Sequence, residues 1–213
     1  MAYFPFITDI EDMDCLIAGG GSVALHKAEI LSEYNVNIHI VAISVCDGLL
    51  NLAKSNKRIE ARQREFKDSD INGMDFVIAA TGDKELGIHI SEICKKQKIP
   101  VNVVDIKEAC SFIFPAIIHK EPLLVAVSSG GASPALAAGI KRDIKGIIPD
   151  YYARLAKNLE KTREYVIANT KNAGTAARKH IFEKLVLYGS EHDGEIPESV
   201  VKEIIEQNVC FFQ

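Results

Sequence analysis

Over the first hundred residues, short unbroken apolar runs alternate with stretches in which apolar residues return every three or four positions. That alternation predicts buried strands interleaved with amphipathic helices. DCLIA (14–18) is a run of the first kind, and after a triple glycine Val23, Ala24, Ala28 and Leu31 recur at helical spacing until Asn35. VNIHIVAI (36–43) predicts a second strand, RIEARQREF (58–66) a weaker and more polar third, and MDFVIAAT (74–81) the strongest of the chain. KELGIHISEICKKQK (84–98) has helical periodicity and leads through Pro100 into the strand VNVVD (101–105). Strand and helix in strict alternation imply right-handed crossovers and a parallel, doubly wound sheet, whose ligands lie beyond the carboxyl ends of the strands. Gly19 to Ser22, Ile43-Ser44, Thr81 to Asp83 and Asp105 all fall at such ends.

From residue 111 the rhythm changes. SFIFPAIIHK (111–120) and PLLVAVSS (122–129) predict two further strands with Glu121-Pro122 at their turn. Ser133 is a natural helix cap and Pro134 a natural first helical residue, so a helix should start there and stop before Pro149. Residues 151–213, rich in Leu, Ile, Ala, Lys and Glu and broken at Asn172 to Gly174 and at Gly189 to Gly194, predict three helices. The expected class is therefore α/β: a Rossmann-like parallel-sheet domain over 1–112, a small strand-containing segment over 113–149 and a helical domain over 150–213.

Composition narrows the ligands. With 47% apolar and 25% charged residues among 213, the chain is ordinary globular protein. A net charge of -4 and a pI near 5.9 leave no global positive field for nucleic acid or an anionic membrane. The N-terminus has no basic leader, and no apolar run approaches the roughly 20 residues of a membrane span. Five widely spaced cysteines (Cys15, Cys46, Cys94, Cys110, Cys210), never paired as C-x-x-C, fit a reducing compartment, so the cytoplasm is the expected location. No histidine lies in a zinc-hydrolase arrangement, and no metal ligand is assigned.

The candidate chemistry starts at Gly19-x-Gly21-x-x-Ala24, which fits the dinucleotide fingerprint in its required strand-turn-helix context. The first glycine permits the tight turn, the second lets backbone approach a pyrophosphate, and a small third residue lets helix and strand pack closely. Helix amides and dipole then favour the phosphate charge. The acid that usually follows the second strand to bind ribose hydroxyls is missing, since that strand ends VAIS. Ser44 is the nearest polar substitute, or else a cap for the helix beginning at VCDGLLNLAK. With no Arg or Lys before Lys54, NAD is expected over NADP. Asp83 is either a cleft residue or the cap of the helix over 84–97.

At GGGSVALHKAEIL, at NVVD…CSFIFPAIIHKEPLLVAVSSGGASPALA and at the opening YFPF, the chain resembles the siroheme synthase N-terminal family. Its members are precorrin-2 dehydrogenases, some of them also sirohydrochlorin ferrochelatases. The resemblance covers most of the first 150 residues in order, and the FIFPAI…VSSGGASP block is its specific part. It implies a homodimer, stand-alone without the methyltransferase domain of fused members, in which NAD+ takes hydride from precorrin-2 to give sirohydrochlorin. It also implies that the middle segment serves dimerisation and that the helical tail helps form a tetrapyrrole cleft. The family's catalytic aspartate falls on Asp105, and its cofactor contacts on Ser22, Val23, Ile43 and Ser44. A carboxylate at a strand end beside the cofactor can take or relay the proton lost as hydride leaves, although a turn or cap aspartate would stand there too.

The implied substrate is a polycarboxylate, so its pocket needs amides and cations. Ser128, Ser129, Gly130 and Gly131, ahead of a capped helix, form a candidate anion cradle. Two departures stand out: His26 where relatives usually have Arg, and Thr81-Gly82-Asp83 for a Thr-Asp-Asp or Thr-Asn-Asp. Chelatase activity stays open, with Asp105 its one named candidate. Two other readings compete. FVIAATGDKELGIHISEICKK also resembles NAD(H)-sensing modules of potassium-transport systems, and a glycine turn could serve methyl transfer from S-adenosylmethionine. Both normally keep the missing acid.

Overall fold

The computed structural model describes residues 3–171 and 173–209, so the expected break at Asn172 and the thiol of Cys210 lie outside the described residues. The chain divides into two compact units at Phe114/Pro115. The division lies two residues past the expected end of the first domain, and the segments 113–149 and 150–213 fall together in the second unit apart from their first two residues.

The first unit is built on β1 (Asp14–Ala18), β2 (Asn37–Ala42), β3 (Ile59–Gln63), β4 (Phe76–Ala79) and β5 (Val101–Val103). All pair parallel, in the order β3-β2-β1-β4-β5. Their side chains alternate between two cores. Cys15, Ile17, Ile38, Ile40, Phe76 and Ile78 pack with Ala24, Ala28 and Leu31 of α1 (Ser22–Ser32) and Leu49 of α2 (Asp47–Ser55). Leu16, Ala18, Val77, Ala79, Val101 and Val103 pack with Ile90 and Cys94 of α3 (Lys84–Gln97). Burial on both faces explains why β1 and β4 read as unbroken apolar runs, and each fully buried Ile or Leu contributes about 1.5–3 kcal/mol. Successive strands move outward from β1 in one direction and from β4 in the other, which opens a crevice at the carboxyl ends of β1 and β4.

The second unit holds the antiparallel pair β6 (Ala116–Lys120) and β7 (Leu123–Val127), then α4 (Pro134–Ile147), α5 (Tyr151–Asn169), α6 (Gly174–Glu191) and α7 (Glu198–Val209). Ser133 caps α4 as expected, its hydroxyl accepting from the Leu136 amide at 3.2 Å. Among the described residues the three-helix expectation holds, with one correction: α6 continues through Gly189 to Glu191. Gly189 is buried, and a Cβ there would lie 2.4 Å from Leu155 Cδ1, so this glycine lets α5 and α6 approach rather than breaking the helix. Val166, Ile181, Leu185, Val201 and Ile205 form the core of the helical region.

Candidate functional site

The carboxyl ends of the parallel strands border a cleft of about 720 Å³, a volume typical of small-molecule sites. Gly19, Gly21, Ser22, Val23, Ile43, Ser44, Asp83 and Asp105 all line it, so the structure brings together every expected cofactor and catalytic residue.

The glycine turn is cross-tied to its neighbours. Gly19 donates its amide to the Val41 carbonyl at 2.9 Å, and the Gly20 carbonyl accepts from the Cys46 amide at 2.9 Å. Gly19 has φ +133°, and a Cβ there would sit 2.1 Å from the Ala80 carbonyl oxygen. Gly20, to which the fingerprint assigns nothing, is equally constrained, since its Cβ would meet the Ser44 carbonyl oxygen at 2.0 Å. Gly21 is different. Its φ of -88° suits any residue, and a Cβ there would meet no atom within 4 Å. Nothing in the protein's own packing asks for glycine at this position; close approach of a ligand to the backbone would.

Helix α1 starts at Ser22 with Gly21 as its cap residue, no side-chain cap bond and no acid in its first turn. Its first amides therefore have no acceptor within the helix and no competing carboxylate, as a pyrophosphate would require. Helix α3 is the contrast: Asp83 Oδ1 accepts from the amides of Glu85 (2.9 Å) and Leu86 (3.2 Å). Asp83 is thus both a cap and part of the cleft lining. Val23 and Ile43 are large apolar side chains left 44% and 76% exposed at the cleft, an apolar surface suited to a nucleotide base. These residues fit a dinucleotide, whose phosphates the α1 amides would hold.

One expectation needs correction and two alternatives fall away. Strand β2 ends at Ala42, and α2 is capped by Cys46, without a side-chain bond, so Ser44 is not its cap. Strand β5 ends at Val103, so Asp105 is not its last residue. It stands two positions beyond in a turn, with φ +64°, where the paired strand no longer constrains the backbone. The short helix that follows starts after Ile106 with no side-chain cap, so Asp105 is a turn residue, not a cap. Its carboxylate is exposed, and among the described residues no hydrogen bond to it is found.

Lys84, Glu65 and Phe66 also line the cleft and were not expected. Lys84 had a signal in its position beside Asp83; Glu65 and Phe66 had none, because they enter through the pairing of β3 with β2.

The Ser128–Gly131 turn belongs to the second unit. Ser129 Oγ donates to the Ser133 carbonyl at 3.0 Å and accepts from the Ser133 amide at 2.9 Å, and Ser128 Oγ accepts from the Gly130 amide at 3.1 Å. Both hydroxyls therefore shape the turn, and Gly130 and Gly131 adopt φ of +63° and +80°. His26 is an exposed residue of α1 outside the cleft lining. No group of three or more metal-ligating side chains is found among the described residues. Nor is any described helix long and apolar enough to cross a membrane.

A parallel sheet of this order, with an uncapped glycine turn at its crevice, defines a Rossmann-type dinucleotide-binding protein. Comparison with known proteins is specific: the chain belongs to the putative NAD(P)-binding family, whose model matches residues 6–116. A second model, sirohaem biosynthesis protein central, matches residues 120–146. The chain is 40% identical over 186 residues to the siroheme synthase of Thioalkalivibrio sulfidiphilus, covering 87% of this chain and 37% of that one. It is 36% identical over 206 residues to that of Methylococcus capsulatus, covering 92% and 42%. The chain thus spans about two-fifths of the length of these relatives. The solved structure of SirC, a precorrin-2 dehydrogenase, superposes with a TM-score of 0.68 at 19% identity, covering 96% of this chain and 98% of that one. The likeness to siroheme synthases expected from the sequence is therefore found, and so is the expected fold.

Proposed function

We propose that the chain is an NAD-dependent dehydrogenase that converts precorrin-2 to sirohydrochlorin. One observation supports this above the rest: Gly21, whose Cβ position is open, and Asp105, without a hydrogen-bond partner among the described residues, line the same cleft. The first suits the phosphates of a dinucleotide and the second suits a proton acceptor. NAD+, when bound, accepts the hydride. The chain's own work is to hold the pyrophosphate on the α1 amides, to seat the base against Val23 and Ile43, and to take at the Asp105 carboxylate the proton released as the hydride departs. The substrate comes from the relatives: the siroheme synthases and the precorrin-2 dehydrogenase neighbour.

In this reading the Ser128–Gly131 turn contacts substrate carboxylates. Sirohydrochlorin metal insertion is a second activity to assay with Fe2+ or Co2+ in the absence of NAD+. The protein acts as a homodimer, and Leu136, Ile140 and Ile147, exposed along one face of α4, supply apolar surface for it. Its four described cysteines are free, which suits the cytoplasm.

The test is sirohydrochlorin absorbance on mixing protein, precorrin-2 and NAD+. Product should form only when NAD+ is present. Asp105→Asn, which tolerates the same left-handed backbone, should bind NAD+ normally and lose about 10²–10⁴-fold in turnover. Wild-type turnover in that variant removes Asp105 from the chemistry, and no product from the wild type removes the substrate assignment.

A further inference from the structure

The missing acid after β2 leaves the ribose hydroxyls of a dinucleotide without their usual partner, and the structure places a carboxylate beside that position from the next strand. Ala42, the last residue of β2, pairs with Gln63, the last of β3, and Arg64 donates its amide to the Ala42 carbonyl at 2.9 Å. Glu65 follows directly, lining the same cleft as Ile43 and Ser44. Its side chain is exposed, and among the described residues no hydrogen bond or ion pair to its carboxylate is found. The neighbouring cation is committed elsewhere: Arg64 holds Asp70 through two bonds of 2.8 and 2.7 Å and donates a third to the Glu65 carbonyl at 2.9 Å.

We infer that Glu65 is a specificity-determining residue of the dinucleotide site, its carboxylate accepting from the adenosine ribose hydroxyls and repelling a 2'-phosphate. This rests on the dinucleotide reading above and adds to it the residue that selects NAD over NADP. The physical basis is that a charge-assisted bond to a ribose hydroxyl favours the free 2'-OH, whereas a carboxylate and a 2'-phosphate repel each other when the adjacent Arg64 is already held by Asp70.

Calorimetric titration with NAD+ and with NADP+ tests it without any substrate. Wild type should bind NAD+ more tightly than NADP+. Glu65→Ala should lose about tenfold in NAD+ affinity and bring the two affinities together, and Glu65→Gln should do so in part. An exposed, unpartnered side chain predicts unchanged thermal stability in both variants, which keeps the reading separate from misfolding. An unchanged ratio of NAD+ to NADP+ affinity in Glu65→Ala overturns the role of Glu65 while leaving the dinucleotide site intact. A wild type that binds neither dinucleotide overturns both.

Discussion

Gly19 and Gly21 belong to one motif and are glycine for opposite reasons. Gly19 answers to the protein: positive φ and a carbonyl 2.1 Å from any Cβ leave no room for a side chain. In the proposed site Gly21 answers to the cleft, since neither its backbone angles nor its neighbours forbid a methyl group. The two alanine variants should therefore separate. Gly19→Ala should cost at least ~2 kcal/mol through strain and overlap, visible as a lowered Tm. Gly21→Ala should unfold close to wild type yet lose at least about tenfold in NAD+ affinity, because the methyl group occupies the space a pyrophosphate needs. Equal NAD+ affinity in Gly21→Ala and wild type would contradict that assignment.

At the level of elements, the carboxyl end of β3 is fixed by one ion pair. Arg64 grips Asp70, which also accepts from the Lys67 amide at 2.9 Å, and the Asp70 side chain is only 9% exposed. The Arg64 guanidinium holds the Asp70 carboxyl below its usual range. A carboxylate depressed in the folded state stabilises fully above its unfolded value of about 3.9, and the contribution is lost as pH falls through the folded value. Asp70→Asn should thus be less stable by about 1–3 kcal/mol at pH 7, and its deficit against wild type should shrink as pH drops below about 4. A deficit independent of pH would mean that packing, not charge, holds the turn. The same strand shows where sequence reading stops. Strands buried on both faces announce themselves as apolar runs, so β1, β2 and β4 were legible to within a few residues. β3, at the sheet's edge and half polar, was the weakest and proved shorter than its run. Gly21 and Asp105 were visible because a local motif or a resemblance marked them. Glu65 was not, because its place depends on which strand lies beside β2, and periodicity carries no information on lateral order. Gly189 was misjudged for a related reason: a helical glycine that admits a neighbouring helix looks, in sequence, like one that ends its own.

For the molecule as a whole, every residue that lines the cleft lies in the first unit, while the Ser128–Gly131 turn lies in the second. Cofactor and substrate functions should then be separable by mutation. The turn is set by internal bonds of Ser128 and Ser129 and by two successive glycines of positive φ; the Ser129 hydroxyl proton and the Gly130 amide are spent on it, while Ser128 Oγ, an acceptor there, keeps its own proton to donate. In an acidic chain of net charge -4, backbone amides offer an anion a site that needs no basic patch. Gly130→Ala meets no neighbour within 4 Å, yet at φ +63° alanine is disfavoured by roughly 1 kcal/mol, enough to relax the turn without unfolding the unit. The expected outcome is a several-fold higher KM for precorrin-2 with an NAD+ dissociation constant within about twofold of wild type, measured by steady-state kinetics and direct titration. An unchanged KM alongside a lowered Tm would show that the turn serves only to launch α4, and the substrate's carboxylates would then have to be met by other residues.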